Sequence, residues 1–147
     1  MYGNTNTSKI NRLKILNNKI IRILQKRPRR THIIDLYKSY STLPIDLLHK
    51  YQTLLFVHKF VHHSNRLPVI FASYITQNKL VHQHDTRDKC DFHLSTPRTT
   101  FGKKSLKYKG SHSWNSLPES LKLTQSTTLF KSSLTVFFVH DSMNWCH

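Results

Sequence analysis

The residues of this sequence best suited to chemistry are cations gathered near its start. The first 30 residues carry nine Lys and Arg residues and no acidic residue. Like charges spaced four apart destabilise a free helix by about 0.2–0.5 kcal/mol per pair, whereas a phosphate backbone turns them into favourable contacts. The pattern favours contact with a polyanion over a solvated helix face, which is the alternative. The expected contact residues are Lys9, Arg12, Lys19, Arg22, Lys26, Arg27, Arg29 and Arg30.

A second basic segment spans residues 98–109 and contains no acidic residue. Phe101 and Tyr108 stand among its cations, and aromatic rings beside cations suit base stacking next to phosphate contact. Anchoring of both rings in the core is the alternative, which the sequence slightly favours. The expected phosphate contacts are Arg98, Lys103, Lys104, Lys107 and Lys109, together with Arg87 upstream.

Histidines and a cysteine provide the candidates for metal ligands. His82, His84, Cys90 and His93 lie within twelve residues, but their spacing matches no standard zinc finger or knuckle. His58 and His62 are one helical turn apart, yet Lys59 stands where a metalloprotease helix has glutamate. We therefore expect no metal site, and we expect His58 to be a histidine of the core or its boundary.

No residue pattern predicts catalysis. Gly102-Lys103-Lys104-Ser105 is similar to the end of a phosphate-binding loop, but Pro97 replaces the glycine that such a loop needs. Asp85, Asp88 and Asp91 cluster beside basic residues, which is typical of solvated salt bridges. The sequence thus predicts no catalytic residue, no cofactor and no small-molecule substrate.

Apolar periodicity predicts the elements that position these residues. Spacings of three and four predict a helix over 8–27, begun by Ser8 and stopped by Pro28. Its apolar face holds Ile10, Leu13, Leu16, Ile20, Ile23 and Leu24. Further helices are expected over 33–40, from Leu43-Pro44 to about residue 63, over 69–75, and from Ser126 or Thr127 onward. Short strands are allowed for around 92–94 and 99–101.

Composition bounds the fold class. The 147 residues carry a net charge of +16, and glycine and proline together number only eight, which argues against a turn-rich all-β fold. We expect a mainly α chain, a small helical bundle with an irregular basic segment before the C-terminal helix. One domain covers 1–147, divided into a bundle (1–76), the irregular segment (77–118), the C-terminal helix (119–140) and a tail (141–147).

Partners and compartment follow from the same composition. A large positive charge makes nucleic acid the default partner. Two cysteines form no disulfide framework, and the sequence shows neither a signal peptide nor an apolar run long enough to span a membrane. We expect an intracellular protein, cytoplasmic or nuclear and not secreted, without a membrane partner.

Short blocks follow one another in order along the sequence. They include the His-x-His-x-Thr-Arg pattern at 82–87, Phe101-Gly102-Lys103-Lys104-Ser105 and Trp114-Asn115-Ser116-Leu117-Pro118. The series resembles the C-terminal region of reverse transcriptases from jockey-like non-LTR (LINE-type) retrotransposons, and the resemblance runs from about Tyr2 to Val139. The order and spacing of the blocks carry the resemblance, since each block alone is short. Gly110-Ser111 departs from the family's usual Gly-Pro.

The resemblance implies the thumb end of an RNA-directed DNA polymerase. The family's palm motif, Tyr/Phe-x-Asp-Asp, does not occur in the sequence. We therefore expect a non-catalytic fragment of a larger polymerase that holds RNA template or RNA/DNA duplex through its phosphates, while the parent enzyme would use Mg²⁺. Its partners would be RNA or DNA and the rest of the polymerase. The alternatives are a stand-alone basic helical nucleic-acid-binding protein and an interaction module for an acidic partner.

Overall fold

The computed structural model describes residues 7–71, 74–81 and 89–141. The prediction of a mainly α chain is confirmed: the chain is 67% helical, and no sheet forms among the described residues. An isolated antiparallel bridge joins Gln77 to Phe92. Single 3-10 turns cover Ser64–Arg66 and Val69–Phe71. The helices are α1 (Thr7–Leu24), α2 (Ile33–Ser39), α3 (Ile45–His62), α4 (Asn78–Val81), α5 (Thr100–Lys103), α6 (Leu106–Asn115), α7 (Glu119–Lys122) and α8 (Thr127–Asp141).

Helix α1 ends three residues before the position predicted from Pro28. Lys26 adopts a left-handed backbone conformation with φ of 48°. The Arg27 amide donates to the Arg22 carbonyl (2.9 Å), and the Lys26 amide donates to the Ile23 carbonyl (3.0 Å). This is the Schellman arrangement, which closes a helix with its left-handed residue just past the end. Lysine occupies the position where glycine is usual.

Capping side chains explain why helices α5 and α6 form where the sequence interpretation placed an irregular segment with strands. The Thr99 hydroxyl accepts from the Gly102 amide (3.0 Å) and begins α5. The Ser105 hydroxyl accepts from the Tyr108 amide (3.2 Å) and begins α6. Each bond satisfies a backbone donor at the start of a helix. Residues 99–101 therefore start a helix rather than a strand.

The chain divides into two compact units, each with its own core. Unit 1 comprises Met1–Tyr51 and Lys131–His147, and unit 2 comprises Gln52–Phe130. The divisions fall inside α3 and α8, so both helices contribute residues to both units. Among the described residues, none of the helices combines the length and the apolar character needed to cross a lipid bilayer.

In unit 1, polar side chains join α1 to α2. Asn17 Nδ2 donates to the Tyr37 hydroxyl, which in turn donates to Asn18 Oδ1, both at 2.8 Å. Tyr37 and Leu36 are buried, and burial raises the pKa of the Tyr37 phenol, keeping it protonated as the donor. Gln25 Nε2 also reaches the Leu36 carbonyl at 3.4 Å. The side of α1 that packs in this unit is therefore largely polar.

The aliphatic face of α1 consequently lies on the surface. Exposed fractions are 42% for Leu13, 54% for Leu16, 52% for Ile20, 74% for Ile23 and 75% for Leu24. Amphipathic helices usually bury this face. The sequence identified these residues as one face, but the hydrogen bonds to Tyr37 turn a different face inward.

The core of unit 2 is built around a buried histidine. His58 has no exposed surface and stacks on Phe130, with ring centroids 4.2 Å apart. Its Nε2 donates to the Thr124 carbonyl (2.7 Å), which fixes the neutral tautomer with a bare Nδ1. Nδ1 is buried with no hydrogen-bond partner among the described residues. His62 Nε2 donates similarly to the Lys122 carbonyl (2.9 Å). The prediction of a core histidine at position 58 is confirmed.

A glycine sets how closely α6 approaches α3 in this unit. A Cβ at Gly110 would lie 3.0 Å from Val57 Cγ2, at the limit of what packed side chains tolerate. Glycine inside a helix costs about 1 kcal/mol relative to alanine. Glycine is used here because it lets α6 approach α3 closely. This approach places Trp114 (5% exposed), one turn further along α6, in the core with His58.

Acid should weaken the core of unit 2 through His58. Burial lowers the pKa of His58 below its ordinary 6.5, and the positive charges of His62 and His63 on protonation lower it further, against the opposing effect of the Thr124 hydrogen bond. The unfolded chain therefore takes up the proton first as the pH falls, so stability is lost from about pH 6.5 downward. We expect urea midpoints to fall between about pH 7.5 and pH 5, and less steeply in His58→Gln.

The matched control for this measurement is His112→Gln, which changes an exposed histidine on α6. It should retain the acid dependence of the original chain. If the stability of the His58→Gln chain depends on pH as steeply as that of the original chain, the loss of stability in acid cannot be assigned to His58.

The left-handed residue at the end of α1 yields a second prediction. Lys26→Gly should raise the free energy of unfolding by about 1 kcal/mol, because a side chain at positive φ carries a steric penalty that glycine lacks. Lys26→Ala removes the same charge and keeps the penalty, so it should give no such gain. Chemical denaturation of the three proteins checks this, and equal stabilisation by both substitutions would attribute the effect to charge.

Candidate nucleic-acid interface

An open groove in unit 1 collects four cations from α1 and the turn after it. Its lining comprises Ile15, Asn18, Lys19, Arg22, Ile23, Arg27 and Arg29. None of these residues is acidic, and Ile15 and Ile23 supply the apolar part of the lining. The groove therefore presents a positive concave surface of the kind that attracts anions.

The helix end described above is what brings these cations together. Lys19 and Arg22 project from α1, whereas Arg27 and Arg29 follow the left-handed Lys26. Arg22 donates through Nε and Nη2 to the Thr31 carbonyl at 3.4 and 3.3 Å, which ties the turn back to the helix. Because the chain leaves the helix at Lys26, Arg27 and Arg29 line the same groove as Lys19 and Arg22.

The other cations expected near the start of the chain surround this groove or extend along α1. Lys9, Arg12, Lys26 and Arg30 are exposed. Lys14 was not among the expected contacts, and it pairs with Asp46 of α3. The Lys14 ammonium is therefore already engaged with a carboxylate.

The second basic segment belongs to unit 2. Arg98 and Lys103 are exposed, whereas Lys104, Lys107 and Lys109 are half-buried. Burial lowers the pKa of the Lys109 ammonium, and repulsion from Lys104 lowers it further. An anion beside these lysines would relieve that repulsion.

Phe101 lies in the open at the centre of this segment, with 86% of its surface exposed. The slight preference for a core position was therefore wrong for Phe101. Next to it, a Cβ at position 102 would lie 2.6 Å from Pro97 Cβ, so the turn has room for glycine there. Tyr108 is half-buried and lies beside His112, with ring centroids 6.1 Å apart. Only Phe101 of the two offers a full ring face for stacking.

Several predicted positions lie outside the described residues. Arg87 is one, and His82 and His84 of the considered zinc set are others. Across 7–71, 74–81 and 89–141, no cluster of three or more His, Cys, Asp or Glu side chains could hold a metal ion. The expected absence of a metal or cofactor stays a prediction.

The groove walls were missed by sequence reasoning. Ile15 and Asn18 line it, yet neither carries a charge that would have marked it. Asn18 also holds Tyr37, so one side chain supports the unit 1 core and borders the groove. The sequence did offer one signal that positions 17 and 18 have a special role. Asparagine is a poor helix former, yet two asparagines stand together there inside a strongly helical segment.

Comparisons with known proteins return no relative that could identify these surfaces. The reverse transcriptase resemblance therefore rests on the residue blocks alone and stays a prediction, and the interface rests on the geometry of its cations. No family model, no curated protein and no solved structure matches this chain.

Proposed function

We propose that this chain binds nucleic acid through its phosphate backbone and does so without catalysis, as the C-terminal part of a retrotransposon RNA-directed DNA polymerase. The observation that carries the proposal is the groove that holds Lys19, Arg22, Arg27 and Arg29 without an acidic residue. Lys and Arg contacts of this kind fix position on a strand without reading its sequence. The bound molecule would be RNA template or RNA/DNA duplex, as the family resemblance implies.

The extent of the positive surface favours a polymer over a small anion. Cations continue along α1 from Lys9 to the groove and beyond it to Arg30. At 1.5 Å per residue, Lys9 to Arg22 alone spans about 20 Å of helix. A single phosphate would engage only a fraction of these charges, whereas a strand presents phosphates along the whole length.

The segment in unit 2 supports binding of an unpaired stretch. Phe101 is exposed beside Arg98 and Lys103. Single-stranded bases stack on such rings next to cations, while bases inside a duplex are already stacked and not accessible. A polymerase template is unpaired ahead of the site of synthesis and paired behind it, so both surfaces suit the proposed role.

Salt dependence tests the phosphate contacts. If about six phosphates are neutralised, the logarithm of the association constant for a short RNA/DNA duplex should fall with the logarithm of salt at a slope of about −5. Lys19→Gln/Arg27→Gln/Arg29→Gln should make the slope less steep by about 2 to 3. Fluorescence anisotropy between about 50 and 300 mM salt measures both slopes.

A charge-matched control separates the groove from net charge. Lys59→Gln/Arg66→Gln/Lys131→Gln removes three exposed cations from elsewhere on the chain. It should leave the slope close to that of the original chain. Equal losses in the two triple variants would show non-specific attraction, and a slope near zero in the original chain would refute phosphate binding altogether.

Phe101→Ala tests stacking. Stacking of one base contributes about 1–3 kcal/mol, so affinity for single-stranded RNA should fall about 5- to 150-fold. Affinity for the duplex should be unchanged. Tyr40→Ala, which removes another exposed ring (59%), is the control and should affect neither. A parallel loss on both nucleic acids in Phe101→Ala would argue against stacking.

A further inference from the structure

The exposed aliphatic face of α1 lies largely outside the groove, which it meets at Ile23. Leu13, Leu16, Ile20 and Ile23 follow each other at spacings of three, four and three. All four are exposed by 42% or more. This alternation of three and four defines the seam along which one helix packs on another. We refer to these four residues as the α1 seam.

One edge of the α1 seam is positively charged. Arg12 and Lys19 are seven residues apart, so they lie in one row beside the seam, and both are exposed. The opposite edge contains Asn17, which is held by Tyr37. No acidic residue occurs anywhere in α1. A partner that covers the seam therefore meets positive charge along a single edge.

We propose that the α1 seam docks an amphipathic helix whose own apolar face is bordered by Asp or Glu. Charge complementarity selects this occupant: carboxylates beside the partner's seam would pair with Arg12 and Lys19 while aliphatic side chains interdigitate. The seam shares Ile23, and its charged edge shares Lys19, with the groove. Leu13, Leu16 and Ile20 do not line the groove, so the apolar part of this inference is separate from the nucleic-acid proposal.

Charge opposes a second copy of this chain as the occupant. In an antiparallel pair of α1 helices, the row that contains Arg12 and Lys19 would face the same row of the other copy. In a parallel pair, Lys19 would face Leu24 and Arg12 would face Asn17, and neither contact neutralises a charge. An acidic partner removes both problems.

The test uses a labelled helical peptide of about 21 residues with Leu at its seam positions and Glu at both flanking positions. Anisotropy should report binding to the full chain. Leu16→Gln/Ile20→Gln should weaken it by about tenfold or more, because the apolar contact is lost. Ile15→Gln is the matched control: Ile15 is 56% exposed on the same helix but lies off the seam. It should leave peptide affinity unchanged.

Further measurements distinguish the other occupants. A peptide with Gln in place of Glu should bind about fivefold more weakly at low salt, as should the acidic peptide to Arg12→Gln/Lys19→Gln. RNA affinity should be unchanged in Leu16→Gln/Ile20→Gln. Three results would overturn the proposal: no peptide binding, equal effects of Ile15→Gln and the seam variant, or a dimer of the chain alone that the seam variant abolishes. Seam-dependent binding to phosphatidylserine vesicles without peptide binding would assign a lipid surface instead.

Discussion

The hydrogen bonds between Tyr37 and the paired Asn17 and Asn18 determine what α1 presents to its surroundings. A helix of this composition would ordinarily bury its leucines and isoleucines. Here a phenol inside unit 1 requires partners, and two adjacent asparagines provide them. An unsatisfied buried hydroxyl costs about 1–3 kcal/mol, which helps hold the polar side of the helix inward. The aliphatic seam and the cationic groove both follow from this rotation.

Local sequence was sufficient for four of the helices but not for α5 and α6, nor for the orientation of the helices it predicted. The periodicity of three and four predicted α1, α2, α3 and α8, and proline placement gave the start of α3. His58 was placed correctly in the core. Phe130 and Leu129 are neighbours in α8, yet Phe130 has no exposed surface and 61% of the surface of Leu129 is exposed. The pattern alone cannot decide between adjacent positions at the edge of a face, because that choice depends on residues from other helices.

The same distinction applies to the candidate interface. Counting charges identified the cations of the groove, since clusters of one sign require no tertiary information. Phe101 could not be assigned in this way, because whether an aromatic ring is buried or exposed depends on which other elements pack against it, and here 86% of its surface is exposed. The left-handed Lys26 was equally hidden, since lysine rarely adopts that conformation and the segment carries no glycine to mark it. Where backbone geometry decides a feature, composition gives little warning.

The division of the chain into two units has a consequence for how the protein is made. Unit 1 combines the first 51 residues with residues from 131 onward. Domains commonly fold in order of synthesis, amino-terminal part first. That order is closed to unit 1, because Leu134 and Phe138 of its core are synthesised only after the whole of unit 2. Unit 2 likewise needs Phe130. Neither core is therefore complete until α8 has been synthesised, and the cationic residues of α1 leave the ribosome well before the residues that complete their unit.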